Sequence, residues 1–272
     1  MASSLSHVEV GTESQTIIRL ADVHKAFDRL VVLNGVSLEL KRGQTTVIIG
    51  PSGTGKSVLL KHIIGLLKPD RGEVHFDGRR VDRLNEAELV EIRRRMGILF
   101  QMGALFDSMT VQQNVTFPLV EHTRLSPRQR TERCAAVLRQ VGLDGIEDNM
   151  PAQLSGGQRK RVALARAVVL QPQVVLYDEP TTGLDPIRAD LINELIISLA
   201  RRTGITSVVV THDMASAIKI ADRIVMLYDG RIVADADAAT FSNLNDDLVQ
   251  RFIHGRADRE ELQRIRDGFE PV

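Results

Sequence analysis

Apolar residues in the first fifty positions fall in runs of strand length: Ile17-Ile18-Arg19-Leu20, Val31-Val32-Leu33, Val36-Ser37-Leu38-Glu39-Leu40 and Thr46-Val47-Ile48-Ile49. Asn34-Gly35 and Arg42-Gly43 separate the later runs, so the spacing predicts a small antiparallel sheet feeding into one buried strand. A glycine-rich stretch follows, and Val58 to Leu67 reads as a helix. Gly72 to Asp77 predicts a strand with a turn at Gly78, Glu86 to Arg95 a charged helix, and Gly97 to Phe100 a strand entering a loop at Gln101. From about 105 to 165 the periodicity is mostly helical. Ser126 as N-cap and Pro127 after it open one helix, whose apolar face runs through Ala135, Leu138 and Val141 to Gly142. Val162, Ala163, Ala165, Val168 and Val169 mark another, stopped at Gln171-Pro172. Two buried-strand signals, Val174 to Tyr177 and Ser207 to Val210, flank a helix over Leu191 to Ala200. That alternation implies a parallel sheet covered on both faces. Arg223 to Tyr228 and Arg231 to Val233 form a last β pair turning at Asp229-Gly230.

Charge narrows the classes this α/β chain could serve. Lys and Arg number 35 against 35 Asp and Glu in 272 residues, which argues against a general nucleic-acid binder, since that needs a basic surplus. The single cysteine, Cys134, lies among Ala135, Val137 and Leu138 and reads as a reduced core residue. Val58 to Leu67 is interrupted by Lys61 and His62, and no apolar run reaches the roughly 18 residues that span a bilayer. Glu9, Glu13 and Arg19 stand where a secretion signal would be apolar, so residues 1–15 read as a polar leader.

The glycine-rich stretch, Gly50-Pro51-Ser52-Gly53-Thr54-Gly55-Lys56-Ser57 with Val58 after it, sits between a buried strand and a helix, the context of a phosphate-binding P-loop. Its glycines let backbone amides wrap phosphates, Lys56 would reach the β- and γ-phosphates, and the Ser57 hydroxyl would ligate Mg²⁺. Asp178 and Glu179 emerge at the end of the strand Val174 to Tyr177, where parallel sheets bind ligands. Asp178 is placed to hold Mg²⁺ and Glu179 to act as general base on water. Taken alone, an acidic strand end can equally be a solvated turn.

Leu154-Ser155-Gly156-Gly157-Gln158, opening a basic helix, decides between these readings. With it the chain resembles the ATP-binding cassette (ABC) ATPases, whose signature is this pentapeptide; the match covers about residues 17 to 235. The resemblance implies a P-loop NTPase with a RecA-like parallel-sheet core, an antiparallel β subdomain and a helical subdomain over about 103–165. The ATPase domain would cover 16–240 and a C-terminal extension 241–272. It also implies that two copies meet head to tail, each signature helix facing the ATP held by the other's P-loop. Phe27 matches the aromatic that stacks on adenine, although a phenylalanine in this sheet can also be core. Gln101 matches the glutamine that touches Mg²⁺ or the attacking water. Asp185, in Thr182-Gly183-Leu184-Asp185-Pro186, matches the loop that carries signals across the dimer, with Thr182 where serine is commoner. His212 matches the switch histidine on the γ-phosphate.

The stretch Gly103-Ala104-Leu105-Phe106-Asp107-Ser108-Met109-Thr110-Val111, with Asn114-Val115 and Phe117-Pro118-Leu119, looks like the ATPases of the Mla, toluene-tolerance or Mce-associated phospholipid-transport systems. Phe252-Ile253-His254-Gly255-Arg256-Ala257-Asp258 resembles the tail of that group, and Arg259 then departs from it. This resemblance implies a separate integral-membrane permease, an Mce-type lipid-binding protein, a small accessory subunit and a peripheral place on the cytoplasmic face of the inner membrane. Leu105, Phe106, Met109 and Val111 read either as a groove for a permease helix or as subdomain core. Leu244, Leu248, Phe252 and Ile253 fall at helical spacing and dock either on their own domain or on the partner ATPase. The alternatives are an ABC ATPase for an amino acid, ion or drug, a soluble ABC ATPase outside transport, and a regulatory ATP-binding module without hydrolysis.

Overall fold

The computed structural model describes residues 15–257 and 262–263; the polar leader before residue 15 and the tail positions Asp258 and Arg259 lie outside the described residues. The described residues begin with two long strands, β1 (Thr16–Phe27) and β2 (Leu30–Lys41), then β3 (Thr45–Ile49) and α1 (Lys56–Ile63). β4 (Arg71–Phe76), β5 (Arg79–Arg80), α2 (Glu86–Arg93) and β6 (Met96–Leu99) follow. A helical section holds α3 (Val111–His122), α4 (Pro127–Gln140) and α5 (Gly156–Val168). The chain then alternates: β7 (Val174–Asp178), α6 (Pro186–Thr203), β8 (Thr206–Thr211), α7 (Met214–Ile220), β9 (Arg223–Tyr228), β10 (Arg231–Asp237), α8 (Ala238–Phe241) and α9 (Asp247–Ile253).

Six strands form the central sheet in the order β10-β9-β3-β8-β7-β6, parallel throughout except for β10 at its edge. Strand periodicity splits its side chains between two cores. Val47, Ile49, Val175, Tyr177 and Val209 face α5, α6 and the helical section, while Ile48, Leu176, Val208 and Val210 face α1 and the second sheet. That second sheet, β2-β1-β4-β5, is antiparallel. The mixed α/β arrangement is the one expected from the apolar pattern.

One turn expectation fails. Asn34-Gly35 lies inside β2, and the hairpin turns instead at Asp28-Arg29. In the pairing, Val23 faces Val36 but His24 faces Asn34, so Gly35 is the extra residue of a bulge. The strand bends there, and Asn34 N–H donates to Gly230 O at 2.8 Å, tying the two sheets together.

The helical section keeps its cap signals: Ser126 caps α4 with Pro127 in the first turn. The buried stripe is shifted from the expected Ala135, Leu138 and Val141, since Ala135 is half-buried and Cys134, Val137, Leu138 and Val141 repeat at three- and four-residue spacing on the face toward the core. Leu244, Leu248, Phe252 and Ile253 pack against the chain's own core, and Phe241 and Val249 are fully buried in it. Packing thus runs on past residue 240 into α9.

Candidate functional site

β3 ends at Ile49, and the loop 50–55 crosses the edge of the parallel sheet before α1. Gly50 has φ +152°, and a Cβ there would lie 2.1 Å from the Leu227 carbonyl oxygen of β9, so only glycine lets the loop pass. Gly55, with φ +96°, brings the start of α1 so close to β2 that a Cβ would lie 2.9 Å from Val32 O. Thr54 Oγ1 donates to Pro51 O at 2.9 Å and pins the turn. No side chain caps α1 and no acidic residue stands in its first turn, so its leading amides are left for an anion.

The cations and acids of this edge converge. Lys56 Nζ donates to Gly50 O at 2.7 Å and to Pro51 O at 2.8 Å, and lies 4.0 Å from Glu179 Oε1. Burial pulls its ammonium below the usual lysine range, opposed by the charges of Glu179 and Asp178. Ser57 Oγ donates to Asp178 Oδ1 at 2.8 Å. Burial pushes the Asp178 carboxyl up, against that hydrogen bond. A hydroxyl, a carboxylate and the Gln101 amide are hard oxygen donors of the kind Mg²⁺ takes. Among the described residues no cluster of three or more His, Cys, Asp or Glu could hold a metal. A donor set this small suits Mg²⁺, which keeps phosphates and water in its other positions.

Glu179 is held from several sides. Its backbone is left-handed, φ +50°, at a cost of about 1–2 kcal/mol for a residue with a Cβ, and its N–H donates to Val210 O at 3.0 Å. His212 Nδ1 stands 2.9 Å from Oε2 and 3.0 Å from Oε1. Thr182 Oγ1 donates to Oε2 at 3.0 Å, a bond that a serine hydroxyl could also make. His212 in turn sits where β8 gives way to α7, whose first amides Ala215 N–H and Ser216 N–H are capped by Asp213 Oδ1.

A cavity of about 380 Å³ lies here, lined by Phe27, Ser52, Gly53, Gly55, Lys56, Ser57, Val58, Gln101, Glu179 and His212, with Val32 added; Gly50, Pro51, Thr54 and Asp178 are not in its lining, and Asp178 reaches it through Ser57. Phe27 is 43% exposed, which removes the core alternative for it, and Lys25 Nζ lies 5.5 Å from its ring centroid. Ser155, Gly156, Gly157, Gln158 and Asp185 do not line this cavity. They form a second group: Ser155 caps α5 through Gln158 N–H, and Asp185 caps α6 through Arg188 N–H. A Cβ on Gly156 would lie 3.8 Å from Leu184 Cδ2, and one on Gly157 3.6 Å from Arg188 Cδ, so the two helix starts are neighbours.

Val32, Thr211 and Lys160 are parts that sequence reasoning missed, and Thr182, named there only as a member of the loop around Asp185, proves to touch Glu179. Thr211 Oγ1 lies 3.5 Å from Glu179 Oε2, and Lys160 donates to three carbonyls beside Glu179. For Lys160 a signal existed: it falls three and four residues before the buried Ala163 and Leu164, a cation in register with an apolar helix face.

An apolar groove of about 360 Å³ lies between the parallel sheet and the helical section, lined by residues that include Phe106, Phe117, Pro118 and Arg166. Phe106 and Phe117 have ring centroids 4.9 Å apart, and the Arg166 guanidinium lies 5.7 Å from the Phe106 ring. Of the four apolar residues read as a possible groove, Phe106 lines it, whereas Val111 is fully buried and Leu105 packs against the core. Met109 is outside the lining.

Residues 33–182 match the family described as ABC transporter. The chain is 41% identical over 246 residues, 90% of its length and 93% of the relative's, to the intermembrane phospholipid transport system ATP-binding protein MlaF of Haemophilus influenzae. It is 39% identical over 239 residues, 88% of this chain and 69% of the other, to the probable ribonucleotide transport ATP-binding protein mkl of Mycobacterium leprae. A solved ATP-binding cassette dimer in a post-hydrolysis state with ADP and Pi superposes with a TM-score of 0.76. It shares 36% identity, covering 82% of this chain and 99% of that one.

Proposed function

Since the chain belongs to the ABC transporter family and is an ATP-hydrolysing subunit that uses Mg²⁺, we propose that it powers phospholipid movement through a separate membrane permease, in the manner of the Mla systems. The observation that carries this reading is the 41% identity, across nearly the whole of both chains, to an ATP-binding protein of intermembrane phospholipid transport. On this reading the work maintains lipid asymmetry of an outer membrane, and the subunit sits on the cytoplasmic face of the inner membrane. No described helix is long and apolar enough to cross a bilayer. The groove at Phe106 would receive a short permease helix, with an Mce-type lipid-binding protein and a small accessory subunit completing the complex and no nucleic acid involved.

In the cycle, Phe27 would stack on adenine while the amides of residues 50–57 and Lys56 bind the phosphates. Ser57, Asp178 and Gln101 would hold Mg²⁺, which neutralises phosphate charge when bound. Glu179 would accept a proton from the attacking water and His212 would hold the γ-phosphate, the two being already in contact. Ser155 to Gln158 and Asp185 stand outside the cavity, so a second copy supplies that half of each site in a head-to-tail ATP sandwich. The ABC cassette dimer with ADP and Pi supports this arrangement.

A different cargo is favoured by one observation, the 39% identity to a probable ribonucleotide transport protein. Affinity purification from membranes, with mass spectrometry of bound proteins and lipids, separates the two. A permease with an Mce-type partner and phospholipid supports the proposal; a permease without either overturns it in favour of the second reading.

A further inference from the structure

Lys160 is 6% exposed in the second turn of α5, yet carries a charge into the interior. Its Nζ donates to Pro180 O at 2.7 Å, Thr182 O at 2.7 Å and Glu179 O at 3.4 Å. All three acceptors belong to one short strap, residues 179–182, and no described carboxylate lies within ion-pair distance of the ammonium. A buried ammonium with no direct ion pair is expensive, and an ammonium has three donors for the three carbonyls that compensate it. Burial pulls the group down to about 8, with the Glu179 charge acting the other way, so it is largely protonated at neutral pH. A leucine or methionine would fill the same space without that cost, so the strap geometry is what the charge secures.

Thr182 makes the strap a link. Its carbonyl accepts from Lys160, while its hydroxyl donates to Glu179 Oε2 at 3.0 Å. Thr182 N–H also closes back on Glu179 O at 3.3 Å. On the other side Lys160 is part of the helix capped by Ser155. We infer that Lys160 is a positioning residue: through Thr182 it fixes the carboxylate of Glu179 relative to the helix start at Ser155, and so joins the two functional ends of one chain. The inference rests on the roles proposed above for Glu179 and Ser155. If each chain offers Glu179 to its own nucleotide and Ser155 to the other copy's, this side chain is the mechanical tie between the two sites.

Two variants of the full chain test it. Lys160→Met keeps the aliphatic stem and removes the donors, and Lys160→Gln keeps an amide donor. In steady-state ATPase assays the Met variant is expected to lose about 10- to 100-fold in kcat with KM for ATP within about twofold, and the Gln variant to recover part of that loss. A folded Met variant with kcat within about twofold of wild type overturns the proposal. Should the Met variant fail to fold, hydrogen exchange of amides 181–185 in Lys160→Ala, which removes the donors and keeps helix propensity, decides. Faster exchange there, with the parallel sheet unchanged, supports the tether, and an unchanged rate overturns it. The exchange readout does not depend on which residue is the base; full turnover in Glu179→Gln would remove the base assignment alone.

Discussion

His212 Nδ1 lies within 3.0 Å of both carboxylate oxygens of Glu179, although 33 residues and the whole of α6 separate them in the chain. Parallel pairing of β7 with β8 sets the two strand ends side by side, with Asp178 opposite Val210. The residues that follow each strand therefore meet. Replacing His212 by Ala should lower kcat by about 10²-fold, the lower range for removing one donor that stabilises developing charge, while leaving stability within about 0.5 kcal/mol because the side chain is half exposed. Phosphate release and thermal unfolding measured on the same preparation check both halves.

Glu179→Gln keeps the shape and the Thr182 hydrogen bond but removes the base. ATP binding is expected to persist and turnover to fall by about 10²–10⁴-fold. Gel filtration with ATP should show a dimer that wild type does not accumulate. Wild-type-like phosphate release would sink the assignment.

Gly50→Ala and Gly53→Ala separate steric necessity from backbone preference. At Gly50 a Cβ meets a carbonyl oxygen of β9 at 2.1 Å, and the loop must move. At Gly53, with φ +83°, a Cβ has no neighbour within 4 Å. The first variant should lose nucleotide binding and several degrees of melting temperature. The second should cost about 1–2 kcal/mol, the left-handed penalty alone. Equal melting temperatures would contradict the contact.

Cys134 is fully buried, and burial pushes its thiol up to about 12, with the Glu147 charge adding to it. An unfolded thiol ionises near 9, so between about pH 9 and 12 the unfolded chain releases a proton that the native chain keeps. Stability then falls as pH rises, by about 1.4 kcal/mol per pH unit from this group. Cys134→Ala removes that term, so its stability deficit at pH 8 should shrink by about 1 kcal/mol at pH 10 in urea titrations. Iodoacetamide at pH 8 should label the thiol only after unfolding.

Phe106 is 42% exposed at the groove and touches Phe117. Phe106→Asp should lose about 0.5–1.5 kcal/mol of ring contact and abolish co-purification of the permease from membranes. Retention of the permease at wild-type yield would count against the groove as its seat.

The phosphate loop was legible because its chemistry is local. Gly50 to Ser57 lie next to one another between a strand and a helix, and the requirement for glycine is written in the residues themselves. The α4 cap at Ser126-Pro127 was legible for the same reason. Asn34-Gly35 was misread because the same left-handed glycine serves a turn or a bulge, and only the register against β1 chooses between them. Leu105, Phe106, Met109 and Val111 looked alike as apolar positions, yet the packing of α3 buried Val111 and left Phe106 at the groove.

By itself the sequence determined the α/β alternation, the phosphate loop, the acidic strand end and the capped signature helix, because each depends on residues close in the chain whose backbone preferences act locally. The tertiary structure alone decided which of those pieces share a cavity. Sheet order brings Phe27, Lys56, Gln101, Glu179 and His212 to one pocket. It leaves Ser155 and Asp185 together elsewhere, and it sinks Lys160 against the carbonyls beside Glu179. Those neighbours are separated by tens of residues, and their meeting is set by strand pairing and core packing, which no local pattern encodes.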